Sequence, residues 1–99
     1  MNAKDLFAGD KDPNRRAELA MHILGLDHGE GYGAEYFTGI NRTILTKAFE
    51  ECPDCKSFAQ LESVVNKLPL SDKERSDGSA CFAKLHSAKL EEENGESDG

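Results

Sequence analysis

Between residues 37 and 52 the side chains of Phe37, Ile40, Ile44, Ala48 and Cys52 recur at three- and four-residue intervals, with Leu45 and Phe49 widening the stripe. That spacing places them on one face of an α-helix, and burying such a face is what stabilises a helix in a small protein. Pro53 ends the pattern, because proline has no N–H for the next helical turn. Phe37, Ile44 and Phe49 are the expected core of this central helix. No segment alternates apolar and polar residues at a period of two, so a sheet has no sequence to build it.

The flanking segments carry helix start and stop signals. Asp12-Pro13 combines an N-cap acceptor with a proline at the first helical position. From there Leu19, Ile23 and Leu26, flanked by Ala20 and Leu24, predict a helix from about Pro13 to Leu26, with Arg15, Glu18 and His22 on its polar face. Asp27-His28-Gly29-Glu30-Gly31-Tyr32-Gly33 predicts a loop, since alternating glycines carry no helical preference. The central helix then begins between Ala34 and Gly39. Ser57 and Gln60 have capping-box spacing ahead of Phe58, Leu61, Val65 and Leu68, and Pro69 closes that segment. Ser71 and Glu74 repeat the spacing, Asp77-Gly78-Ser79 interrupts, and Cys81, Leu85 and Ala88 then share a face beside Phe82. The reading is an all-α fold: a bundle of four to five short helices with a disordered acidic C-terminal tail. Residues 1–90 are one helical domain, of which 1–11 form an extended segment, and 91–99 form the flexible tail.

Ninety-nine residues suffice for a single core, one that only just offsets chain entropy. No apolar run approaches the roughly 18 residues of a membrane span, and the N-terminus lacks the basic-then-apolar pattern of a signal peptide. A cytoplasmic location is the expectation. The net charge of −7 is unevenly placed. Glu91, Glu92, Glu93, Glu96 and Asp98 fall in the last nine residues without a lysine or arginine, so the preceding ninety are close to neutral. A terminal run of carboxylates is more often solvated than folded, and deleting 91–99 is expected to leave the melting temperature nearly unchanged.

Cys52-Pro53-Asp54-Cys55 is the sharpest chemical signal. Two thiolates three positions apart can bend round one tetrahedral zinc ion, with Cys81 and His86 as the best candidates for the other two ligands and His22 or His28 as substitutes. Cys81 and His86 are five residues apart, about 140° round an ideal helix, so both can bind only if that helix unwinds. The favoured reading leaves the thiols as ordinary side chains, with Cys52 and Cys81 as small core hydrophobes and no cofactor; zinc is the alternative. An odd number of cysteines fits free thiols better than a disulfide framework.

The remaining motifs support no catalysis. Asp27, Glu30 and Glu35 would repel a phosphate from the glycine loop, and no serine, histidine and acid form a nucleophile motif. No stripe of lysine and arginine with interleaved aromatics suggests direct nucleic-acid binding. The expected function is that of a small acidic, non-enzymatic protein-binding or regulatory protein. In size and composition the chain is similar to the small acidic inhibitors made by phages and other mobile elements, which implies a protein partner with a basic, nucleic-acid-binding surface. Leu6, Phe7 and Tyr32, outside the helical stripes, are the expected apolar contacts, and Glu91, Glu92 and Glu93 the expected electrostatic ones.

Overall fold

Asp12 opens the first helix, its carboxylate accepting the N–H of Asn14 at 3.2 Å while Pro13 occupies the first helical position. The structure is a computed structural model and describes residues 6–7, 12–26 and 34–98. Among these are five helices and no strand: α1 (Pro13–Leu24), α2 (Ala34–Glu51), α3 (Phe58–Lys67), α4 (Asp72–Asp77) and α5 (Ser79–Asp98).

The first helix ends two residues before the expected Leu26. Gly25 adopts φ 71°, its N–H donating to His22 O at 3.2 Å, and the Leu26 N–H donates to Met21 O at 2.8 Å. This is a Schellman end, and it needs a residue that tolerates the left-handed region. It folds Leu26 back into the core beside Met21. The buried face of α1 is also rotated from the one expected. Arg16, Ala17, Ala20, Met21 and Leu24 are buried, whereas Leu19 and Ile23 are only partly so. Small residues such as the buried alanines 17 and 20 permit close helix contact, and α1 packs chiefly against α2.

Within α2, Ile44, Leu45, Ala48 and Phe49 are buried as the period requires. Phe37 is not, being 48% exposed, and the expectation that it is core is corrected. It lies two turns before Ile44, next to Tyr36, where the contacts of α2 with α4 are polar ones to Asp77 and Lys73. Ser57 caps α3, accepting the Gln60 N–H at 3.1 Å, but Gln60 reaches back to the Lys56 N–H rather than to that of Ser57. The reciprocal box forms at α4, where Ser71 and Glu74 each accept the other's backbone N–H at 3.1 Å.

Helix α3 packs on α5, and α2 on α3, so the two helix pairs enclose one core from Leu6 to Leu85. The six-residue α4 buries no residue of its own and is tied to α2 by polar contacts: Lys47 with Glu74 at 3.5 Å, and Tyr36 with Asp77 at 2.7 Å. Gly78, which follows it, is buried against Ile44, and a Cβ there would collide with the Ile44 Cδ1. Arg75 donates to Leu68 O at 3.1 Å and lies over the Phe82 ring, covering the carbonyl end of α3.

Two expectations about the chain ends change. Leu6 and Phe7, placed in an extended segment, have helical backbone. At the other end α5 runs through residue 90, so Glu91–Asn94 belong to the helical body rather than to a flexible tail. None of the helices among the described residues is long and apolar enough to cross a membrane.

Candidate functional site at the Cys-Pro-Asp-Cys end

The Cys52–Cys55 turn follows directly from the end of α2. Cys52 still donates to Ala48 O at 2.9 Å, Pro53 then forbids another helical bond, and the Cys55 N–H closes a tight turn onto Cys52 O at 3.1 Å. A buried arginine holds this turn. Arg16 is 2% exposed, and its guanidinium donates from Nη1 to Pro53 O at 2.8 Å, from Nη2 to Cys55 O at 2.8 Å and from Nε to Leu6 O at 3.4 Å. Its Cζ lies 4.6 Å from the centre of the Phe49 ring. Carbonyl dipoles thus take the place of a carboxylate, helped by the negative end of the 18-residue α2. One side chain thereby joins the N-terminal segment, α1 and the turn.

This arrangement settles where Leu6 and Phe7 lie. Leu6 is 1% exposed and its carbonyl faces Arg16, while Phe7 packs edge-on against Phe58 with ring centres 5.1 Å apart. As a partner contact Leu6 is corrected: a fully buried side chain has no surface to offer. Tyr32, the third expected apolar contact, lies outside the described residues.

The four expected metal ligands are not brought together. Cys52 and Cys55 share the turn, but Cys81 is buried on α5, and His86 is turned toward α3, its Nδ1 3.0 Å from a Glu62 carboxylate that also meets Lys89 at 3.5 Å. Among the described residues no three His, Cys, Asp or Glu side chains are placed to hold one ion. The physical reason is the intact helix: with α5 unbroken, Cys81 turns to the core and His86 to the surface. Burial pushes the Cys55 thiol up to about 11, with the neighbouring Cys52 adding to the rise, and burial pushes Cys81 up to about 12. Both are therefore protonated thiols at neutral pH, whereas the thiolate is the form that attacks or ligates.

One acidic residue of α5 reaches the same part of the chain. Glu92 reaches from α5 to the start of α3, its carboxylate accepting the Phe58 N–H at 3.0 Å and the Ala59 N–H at 3.4 Å. Those are N–H groups that the first turn of a helix leaves without partners, and the negative charge suits the positive end of the helix. Expected as an electrostatic partner contact, Glu92 is instead engaged by the fold. Replacing it with alanine is expected to lower stability by about 1–2 kcal/mol in urea titration. Truncation after Leu90 should lose at least as much, and truncation after Asn94 should retain the cap. With Glu92 capping α3, deletion of 91–99 is expected to lower stability, in place of the expectation that it leaves melting nearly unchanged.

At the end of α2, in the turn after it and on α5 beside Glu92, exposed carboxylates outnumber exposed cations. Glu50, Glu51, Asp54, Glu91 and Glu93 are exposed and form no ion pair among the described residues. Charges on the rest of the body largely pair off, as in Arg42 with Glu18, Lys47 with Glu74 and Lys73 with Asp77. Lys56, Lys67 and Lys84 are exposed as well and offset part of the excess. A groove of about 420 Å³ opens here, with Ile23, Leu24, Phe58 and Ala88 as its apolar part and Lys84, Glu91 and Glu92 as polar lining.

At the first turns of α2, Tyr36 and Phe37 form a second surface feature. Both are 48% exposed and meet edge to face at 5.2 Å, and Lys73 donates to the Tyr36 hydroxyl at 3.2 Å. Sequence reasoning missed Arg16, the capping role of Glu92 and the pairing of Phe37 with Tyr36. Arg16 was detectable in principle, because it precedes Ala20 by one turn and Leu24 by two on the same stripe; Glu92, 34 residues from Phe58, carries no local signal. In comparisons with known proteins the chain matches no family model, no curated protein and no solved structure.

Proposed function

We propose that this chain is a non-enzymatic protein-binding domain that presents its Cys-Pro-Asp-Cys end to a basic surface on a protein partner. The observation that carries this reading is a set of exposed carboxylates that form no ion pair among the described residues: Glu50, Glu51 and Asp54 at the end of α2 and in the turn after it, and Glu91 and Glu93 on either side of the Glu92 that caps α3. Clustered charge of one sign speeds encounter with an opposite surface and rejects like-charged ones. Leu90, 45% exposed one residue before Glu91, and the apolar part of the adjacent groove supply the desolvated contacts that slow dissociation. A nucleic-acid-binding protein offers such a basic surface, and occupying it would block nucleic acid from the same place; this is the inhibitory form of the proposal.

The test is affinity enrichment from host lysate with the wild-type chain and with a variant carrying Glu50→Gln, Glu51→Gln, Asp54→Asn, Glu91→Gln and Glu93→Gln. Glu92 is kept so that α3 stays capped, and matching circular dichroism and melting establish that the variant is folded. A protein retained by the wild type, released by salt and lost by the variant, with an association rate that falls steeply as ionic strength rises, is the expected result. Equal retention by both chains would place the interface elsewhere, and loss on Phe37→Ala alone would move it to the aromatic pair.

A further inference from the structure

Three thiols stand in two situations. Cys81 is enclosed in the core, whereas Cys52 and Cys55 stand at the two ends of a single closed turn. A turn whose fourth N–H bonds to its first carbonyl brings those two Cα atoms within about 7 Å, and disulfides form across about 4.4–6.8 Å. The turn is also fixed in advance. Arg16 grips the carbonyls of Pro53 and Cys55 at 2.8 Å each, so the two thiols are held near each other by contacts that involve neither sulfur. Access is unequal: Cys52 is partly exposed, while Cys55 is buried with its Sγ 3.6 Å from Ser57 O.

We propose that Cys52 and Cys55 close reversibly into an intrachain disulfide, with a low-molecular-weight disulfide of the glutathione type as the oxidant. Cys52, the reachable thiol, loses its proton to solvent and attacks one sulfur of the oxidant. The oxidant's S–S bond breaks, one thiolate leaves and takes up a proton, and Cys52 carries the mixed disulfide. Cys55, deprotonated in turn, attacks the Cys52 sulfur and releases the second small thiol. The two cysteines together lose two electrons and two protons, and the oxidant is reduced to two thiols. Burial makes the Cys55 thiolate scarce, and its fixed position beside Cys52 offsets this, since a neighbouring group in place acts at a very high effective concentration. Cys81 takes no part.

The test is equilibration of the folded, full-length chain in a glutathione redox buffer, followed by acid quench, alkylation under denaturing conditions and intact mass with peptide mapping. The expected product lacks two hydrogens, is alkylated only at Cys81, and returns to three alkylated cysteines after dithiothreitol. In Cys55→Ser the reaction should stop at a glutathione adduct on Cys52, and in Cys81→Ala it should proceed as in the wild type. A wild-type chain that accumulates the Cys52 adduct, links into dimers through Cys52, or keeps all three thiols in buffer that oxidises a simple dithiol would overturn the proposal.

Discussion

Replacing Arg16 with methionine is expected to destabilise the protein by about 3–5 kcal/mol, a large part of what a domain of this size possesses. Methionine fills much of the same space but donates nothing. The carbonyls of Leu6, Pro53 and Cys55 would lose their donors in a buried setting, and the Phe49 ring its cation. Arg16→Lys should recover only part of the loss, because an ammonium is a point donor and cannot span three carbonyls as the guanidinium fork does. Arg15→Ala is the control: that side chain is 76% exposed, and its loss should stay within about 0.5 kcal/mol. Urea midpoints of the four proteins measure all of this. Near-wild-type stability of Arg16→Met would show that the turn and the N-terminal segment hold without their common donor.

The second large effect lies where α4 meets α5. At an ordinary φ such as the −94° of Gly78, alanine should stabilise slightly by restricting the unfolded chain. Here the sign is reversed, because the new methyl would meet the Ile44 Cδ1. Gly78→Ala is expected to cost about 1–3 kcal/mol through overpacking. Ile44→Val removes that Cδ1 and by itself should cost about 0.5–1.5 kcal/mol, whereas Ile44→Ala should cost about 2–5 kcal/mol. The decisive measurement is the double variant Ile44→Val/Gly78→Ala, whose destabilisation should fall below the sum of the two single changes by at least about 0.5 kcal/mol. Strict additivity would mean that the junction moves to make room.

Much of the helical framework was legible because its signals are local. Pro13, Pro53 and Pro69, the caps at Asp12, Ser57 and Ser71, and the apolar stripe through Ile44, Ala48 and Phe49 each act within a turn or two of chain, where backbone sterics and periodic burial leave little choice. The errors have equally definite causes. Phe37 continues the α2 stripe in sequence, but burial needs a partner as well as a period. Leu19 and Ile23 outweigh Ala17 and Ala20 on any hydropathy count, yet the alanines are the fully buried ones, since small residues permit close helix contact.

What the sequence alone determined, then, is the set of helices, their caps and most of their ends, since these depend on neighbours a few residues away. What only the tertiary structure decided is the use of particular polar groups. Arg16 became a buried clasp because three carbonyls from distant parts of the chain converge on it. Glu92 became the cap of α3 because α5 brings it to an N-terminus that begins 34 residues earlier. Cys81 and His86 were separated because an unbroken helix turns one inward and the other outward. A charge or hydrogen-bonding group takes its role from whatever the fold sets within about 3 Å of it, and no pattern of residue types along the chain encodes that distance.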